Sequence, residues 1–155
     1  MLNEKDTAPN FELLNDEGNP TKLSDFRGKW VVLYFFPKAM TSGWTVQAQG
    51  VRDDFAKYQA NNAVVLGVSP DSVERQAKFK EKENLPFILL ADEQHQVAEQ
   101  YSVWVEKSMY GKKYWGVERS TFIINPDGAV EKIFRKVKPE THSEQILAAL
   151  AELSE

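Results

Sequence analysis

Seven consecutive apolar residues, Trp30–Phe36 (WVVLYFF), end abruptly at Pro37. A run this short, rich in β-formers and with no polar residue alternating through it, suits a central strand covered on both faces. Such a strand needs neighbours of the same kind, and AVVLGVS (Ala63–Ser69) and PFILLAD (Pro86–Asp92) are two. Between the first two runs, Val46, Val51, Phe55 and Tyr58 fall at helical spacings, predicting a helix from about Thr45 to Asn61. SPDSVERQAKFKEKE begins a second helix, with Asp71 and Glu74 spaced as a capping box. DEQHQVAEQYSV predicts a short third helix with Asp92 near its start.

The ends of the chain differ in character. PNFELLNDEGNPTKLSDFRGK reads as a hairpin turning at Asn15–Pro20, and STFIINPDGAVEKIFRKV as another around Asn125-Pro126-Asp127-Gly128. SEQILAALAELSE puts Ile146, Leu147, Leu150 and Leu153 on one face of a docking helix. Hairpin, then β-α-β-α-β-α, then β-β-α predicts a layered α/β domain with a mixed central sheet flanked by helices. One domain over residues 1–155 is expected.

Composition narrows the chemistry. The chain has no cysteine, which excludes disulfides, thiolate metal sites and thiol catalysis. Its two histidines, His95 and His142, argue against a histidine metal site, and no metal or other cofactor is expected. A net charge of -4 argues against nucleic-acid or anionic-membrane binding. No apolar run reaches the roughly 18–20 residues of a membrane span, and the N-terminus shows no signal-peptide core, so a cytoplasmic location is expected.

The junction FFPKAMTSGWTVQAQGVRD (Phe35–Asp53) is a strand end, a polar turn and a helix start. Helix N-termini gather unpaired N–H groups and partial positive charge, which favour an anion and lower the pKa of a cysteine placed there. The bland reading is an ordinary connecting loop. Pro37, Thr41 and Trp44 are nonetheless spaced Pro-x-x-x-Thr-x-x-Trp, and that spacing resembles the Pro-x-x-x-Thr-x-x-Cys segment of peroxiredoxins, specifically the bacterioferritin comigratory protein or peroxiredoxin Q group. TAPNFEL, LSDFRGKWVVLYFFPKAMT and LLADEQHQVAEQYSVWVEKSMYGKKYWGVERSTFIINPDG extend the likeness over essentially the whole chain, Arg119 included.

The resemblance implies a thioredoxin-like fold with an N-terminal β-hairpin. It also implies an antioxidant peroxidase chemistry, with hydrogen peroxide or an organic hydroperoxide as substrate and thioredoxin as reducing partner. Pro37 then shields the site, Thr41 hydrogen-bonds the peroxide and Arg119 supports the thiolate. Trp44 stands where the peroxidatic cysteine belongs, and an indole cannot follow the sulfur oxidation ladder. The other positions where members carry cysteine hold Gln49, Lys80 and Ala98. The chain is therefore expected to be inactive, and a monomer. Retention of Pro37, Thr41 and Arg119 points to an engineered exchange of the nucleophile; the alternative is a natural non-catalytic binding or chaperone-like protein.

Forcing an indole into a thiol-sized pocket costs on the order of 1–3 kcal/mol by overpacking. Trp44 is accordingly expected outside the pocket, with the first helical turn frayed. The aromatic stretch Trp104, Tyr110, Tyr114 and Trp115 with Lys107, Lys112 and Lys113 reads as a lid or loop near the site, not as a nucleic-acid stacking platform. By the resemblance, Trp104 and Tyr110 line the substrate approach. KIFRKVK reads as the solvent face of an edge strand, His95 as exposed, and His142 as lying near the last helix's N-cap.

Overall fold

A computed structural model describes residues 2–39, 42–139 and 141–153. The apolar runs form strands, as their length and composition require: β1 (Glu12–Asn15), β2 (Pro20–Lys22), β3 (Trp30–Phe35), β4 (Ala63–Ser69), β5 (Ile88–Ala91), β6 (Trp104–Met109), β7 (Lys112–Val117), β8 (Ser120–Ile124) and β9 (Val130–Arg135). Seven of these make one sheet in the order β2-β1-β5-β4-β3-β8-β9; β6 and β7 form a separate ribbon. β3, β4 and β5 run parallel, while β1, β2, β8 and β9 join antiparallel, so the sheet is mixed as expected.

β3 is continuous in hydrophobicity because it is buried twice. Val32, Tyr34 and Phe36 point into one cluster with Val51, Phe79, Ile146 and Leu150. Val31, Leu33 and Phe35 point into the other, with Phe11, Val97, Tyr101 and Phe122. The helices that cover these faces are α1 (Ser42–Asp53), α2 (Phe55–Ala60), α3 (Val73–Glu83), α4 (Gln96–Gln100) and α5 (His142–Leu153). On α5, Ile146 and Leu150 are fully buried and Leu147 and Leu153 partly so, the face the spacing predicts.

Several local expectations are corrected. The helix expected over Thr45–Asn61 is two helices parted at Asp54, whose carboxylate accepts a hydrogen bond from Ser143 Oγ at 2.8 Å. The N-cap of α3 is Ser72, which accepts from the Arg75 amide at 3.2 Å; Asp71 is instead buried and bonded elsewhere. Asp92 does sit at the start of α4, accepting from the amides of Val97 and Ala98 at 3.2 and 3.0 Å. The aromatic stretch is a β-ribbon, not a loop. Tyr110 and Gly111 join its strands with φ of 51° and 76°, both in the left-handed region that a two-residue hairpin turn demands.

The histidines are also better integrated than expected. His95 is half-buried and stacks on Trp104, centroids 4.0 Å apart and planes 1° apart. His142 is fully buried in the first turn of α5, its Nε2 2.6 Å from Thr121 Oγ1 and its ring edge-on to Tyr34. Burial pushes its pKa down to about 4, with Gln145, as an acceptor, acting in the opposite sense and the positive charge of Arg119 adding to the lowering.

Candidate functional site: the turn from β3 into α1

The β3 ladder carries on past Phe35, with the Phe36 amide donating to the Val68 carbonyl at 3.0 Å, and Pro37 then starts the turn. Both backbone groups of Ala39 are clasped by the start of α3. Asp71 Oδ2 accepts from the Ala39 amide at 2.7 Å, and Arg75 Nη2 donates to its carbonyl at 3.2 Å. Asp71 and Arg75 are themselves paired at 3.0 Å, and Ser69 Oγ donates to Asp71 at 2.6 Å. A carboxylate that accepts two hydrogen bonds and is ion-paired with Arg75 holds this turn in a fixed position. Thr41 lies outside the described residues.

Arg119, just before β8, reaches over the first turn of α1. Its Nη1 and Nη2 lie 2.7 and 2.8 Å from where a Cβ on Gly43 would stand, so the close approach needs glycine at that position. A guanidinium thus meets the helix N-terminus, an arrangement suited to anions and polar oxygen ligands. Lys107 of β6 contributes to the same electrostatic field. Its pKa is lowered by burial and then by the charge of Arg119, with Glu118 acting in the opposite sense.

Trp44 does not behave as expected. α1 is helical from Ser42 onward, and the indole is fully buried. Its ring stacks on Phe36 with centroids 4.0 Å apart and planes 13° apart, and Tyr34, Phe79 and Phe87 complete the box at 6.1, 6.2 and 6.5 Å. Gly67 of β4 leaves the room: a Cβ there would lie 3.3 Å from Trp44 Cζ2. The expectation of a frayed turn assumed that the side chain must enter the space beneath Arg119. Residues on a helix are turned about 100° from one to the next, so Gly43 faces Arg119 while Trp44 faces the sheet.

Energetics favour this burial. An indole removes roughly 150–250 Å² from water, worth about 4–6 kcal/mol at about 25 cal/mol per Å². The opposing cost is an indole N–H with no acceptor among the described residues, roughly 1–3 kcal/mol.

Gln49, Lys80 and Ala98 have structural roles in this chain. Gln49 Nε2 donates to Glu83 Oε1 at 2.8 Å, beside the bond from Arg52 Nη1 to the Glu83 carbonyl. Lys80 Nζ is 3.1 Å from Asp16 Oδ2, tying α3 to the N-terminal hairpin. Ala98 is buried in the second core. Trp104 is engaged with His95, and Tyr110 stands 98% exposed at the ribbon tip. The ribbon residue whose charge interacts with Arg119 is Lys107.

Three participants were not assigned to the site by sequence reasoning. Asp71 and Arg75 carried a signal, an acid and a base four residues apart at a helix start. Gln47 carried a fainter one, an amide one turn after Gly43 on a mostly apolar face. It is 1% exposed, and neither amide atom has a hydrogen-bond partner among the described residues. Among those residues there is no group of three or more potential metal ligands, and no helix is long and apolar enough to cross a membrane.

The AhpC/TSA family profile matches residues 5–133. Peroxiredoxin Bcp of Bacillus subtilis is 49% identical over 148 residues, covering 96% of this chain and 94% of the relative. Peroxiredoxin Bcp of Escherichia coli is 46% identical over 151 residues, covering 97% of each. Among solved structures, a Cys-to-Ser mutant of Xylella fastidiosa PrxQ superimposes with a TM-score of 0.95 at 33% identity, covering 100% of this chain and 99% of that one. The Xanthomonas campestris bacterioferritin comigratory protein, studied for alkyl peroxide reduction, gives a TM-score of 0.90 at 36% identity, covering 94% and 92%.

Proposed function

This chain belongs to the AhpC/TSA family, among the Bcp or PrxQ peroxiredoxins, and from that premise we propose that it is a peroxiredoxin scaffold disabled at its nucleophile, without thiol-peroxidase turnover. The parent reaction needs a thiolate that attacks one oxygen of a hydroperoxide. The O–O bond breaks, the sulfur keeps that oxygen as a sulfenic acid, and an alcohol or water leaves. A thioredoxin-type reductant then has a sulfenic acid or disulfide to reduce. The observation that carries the reading is a chain with no cysteine whose Trp44, set by the family resemblance at the nucleophile's position, is buried in the aromatic core.

What the scaffold retains is the surroundings of that chemistry: the clasped turn after Pro37, the open approach at Gly43, and Arg119 above the helix start. These support an exchanged nucleophile, of engineered origin, in an otherwise competent scaffold that still holds a polar oxygen ligand or small anion. A second reading is a natural binding or chaperone-like protein. The exposed aromatic side chains of the β6–β7 ribbon favour it.

The test is peroxide consumption with a thioredoxin system or an external dithiol. No turnover above the protein-free rate is expected from the chain as it stands. Trp44→Cys is expected to gain turnover, because it places a thiol in the first turn of a helix, where unpaired N–H groups favour the thiolate. An inert Trp44→Cys protein of intact fold transfers the weight to the binding reading, and turnover by the cysteine-free chain overturns both.

A further inference from the structure

The β6–β7 ribbon stands apart from the main sheet, and its two strands pair only with each other among the described residues. Two-stranded ribbons are marginal alone, and open strand edges present unpaired N–H and C=O groups. The two strands are not equally open. In β6, Trp104, Val105 and Lys107 are partly buried, whereas in β7 the consecutive residues Lys112, Lys113, Tyr114 and Trp115 are all exposed, Trp115 at 58%.

Successive strand residues point to opposite faces. Lys112 and Tyr114 therefore share one face, to which Met109 and Lys107 add from β6. Lys113 and Trp115 share the other, where Lys113 lies 3.6 Å from Glu106. Each face thus offers one lysine and one aromatic ring of β7, in the same order along the strand. We propose that the outer edge of β7 is a strand-addition site for an extended acidic segment of a protein partner. Its side chains would read two carboxylates against Lys112 and Lys113, and two apolar groups against Tyr114 and Trp115.

Charge decides among possible occupants. Residues 104–117 carry three lysines against one glutamate on a chain of net charge -4, so the ribbon attracts acidic groups. Three lysines fall short of the cluster of roughly four to eight that marks anionic-lipid binding, and the rest of the chain opposes an anionic bilayer. A two-fold dimer through the ribbons would bring together two surfaces that each carry an excess of positive charge. An extended chain also supplies alternating side chains to both faces at once, as this arrangement requires.

The probe is a synthetic peptide, Ac-Ser-Leu-Phe-Glu-Glu-Ser-NH2, which in antiparallel register sets Leu and Phe opposite Trp115 and Tyr114 and the two Glu opposite Lys113 and Lys112. Titration followed by amide chemical shifts is expected to move resonances within residues 104–117. A control of the same composition, Ac-Ser-Leu-Glu-Phe-Glu-Ser-NH2, puts both carboxylates on one face and is expected to bind at least about 5-fold more weakly. A Lys112→Glu/Lys113→Glu double variant, checked for fold by circular dichroism, should lose about 10-fold or more. Trp115→Ser should weaken binding independently. Equal binding of the control, shifts lying outside the ribbon, or no shifts at millimolar peptide overturns the proposal. Ribbon-dependent sedimentation with phosphatidylserine vesicles, or ribbon-dependent dimerisation in the ultracentrifuge, assigns the surface to another occupant and overturns it as well.

Discussion

The Trp44 indole lies face to face with Phe36, ring centroids 4.0 Å apart and planes inclined by 13°. The last apolar residue of the central strand run and the third residue of α1 are thereby joined in one packed unit. The first turn of α1 is anchored to the sheet by its bulkiest side chain, while the adjacent Gly43 keeps its open face toward Arg119.

Removing this anchor should be costly. Trp44→Ala leaves a cavity bounded by Phe36, Phe79 and Phe87 and is expected to lower unfolding free energy by about 3–5 kcal/mol. Urea denaturation followed by circular dichroism measures it. A loss under about 1 kcal/mol would mean that the indole is not buried in solution.

Gly43→Ala separates helix propensity from site geometry. In a helix interior, alanine is favoured over glycine by roughly 0.5–1 kcal/mol. Here its Cβ would lie 2.7 Å from the Arg119 guanidinium, which must move away. No gain in stability is expected. In the Trp44→Cys background, peroxide turnover should fall at least about 10-fold, and a stabilised variant with unchanged turnover would contradict the close approach.

Asp71 links the turn after Pro37 to α3 by accepting from Ala39 and Ser69 and pairing with Arg75. Asp71→Ala leaves buried donors without their acceptor, at an expected cost of about 1–3 kcal/mol. Faster hydrogen exchange at the Ala39 amide should accompany it. An unchanged exchange rate at that amide would show that the clasp is not what holds the turn.

His142 sets a pH dependence of known sign. Its folded pKa, about 4, lies below the unfolded value near 6.5, so the unfolded chain takes up the proton first. Its contribution is complete above about pH 6.5 and declines as pH falls toward 4, by roughly 3 kcal/mol at most. Denaturation midpoints across that window should therefore fall more steeply for the parent chain than for His142→Gln. Parallel slopes for the two proteins would rule out this histidine as the source.

Much of the fold was legible because it rests on local periodicity. Trp30–Phe36 is a buried strand because nothing polar interrupts it, and the Asn125–Gly128 turn is readable from its own residues. Asp92 announces α4 in the same way, since a capping carboxylate acts within its own neighbourhood. Two of the departures share a cause in partners far along the chain. The break at Asp54 depends on Ser143, and the release of Asp71 from capping depends on Ala39. The ribbon was taken for a loop because Lys112–Trp115 shows no alternation: both its faces are exposed, so no period of two is imposed.

Composition alone determined that this chain carries out no thiol chemistry, since the absence of sulfhydryls does not depend on conformation. The Pro-x-x-x-Thr-x-x-Trp spacing, by its resemblance, implies that residue 44 stands at the nucleophile's position. Which way the indole points was decided only in three dimensions. Helix phase turns residue 44 toward the sheet, and Gly67, 23 positions along the chain, leaves the space that receives it. Burial energy depends on every surface that closes around a side chain, and those surfaces come together only when the sheet and helices have packed.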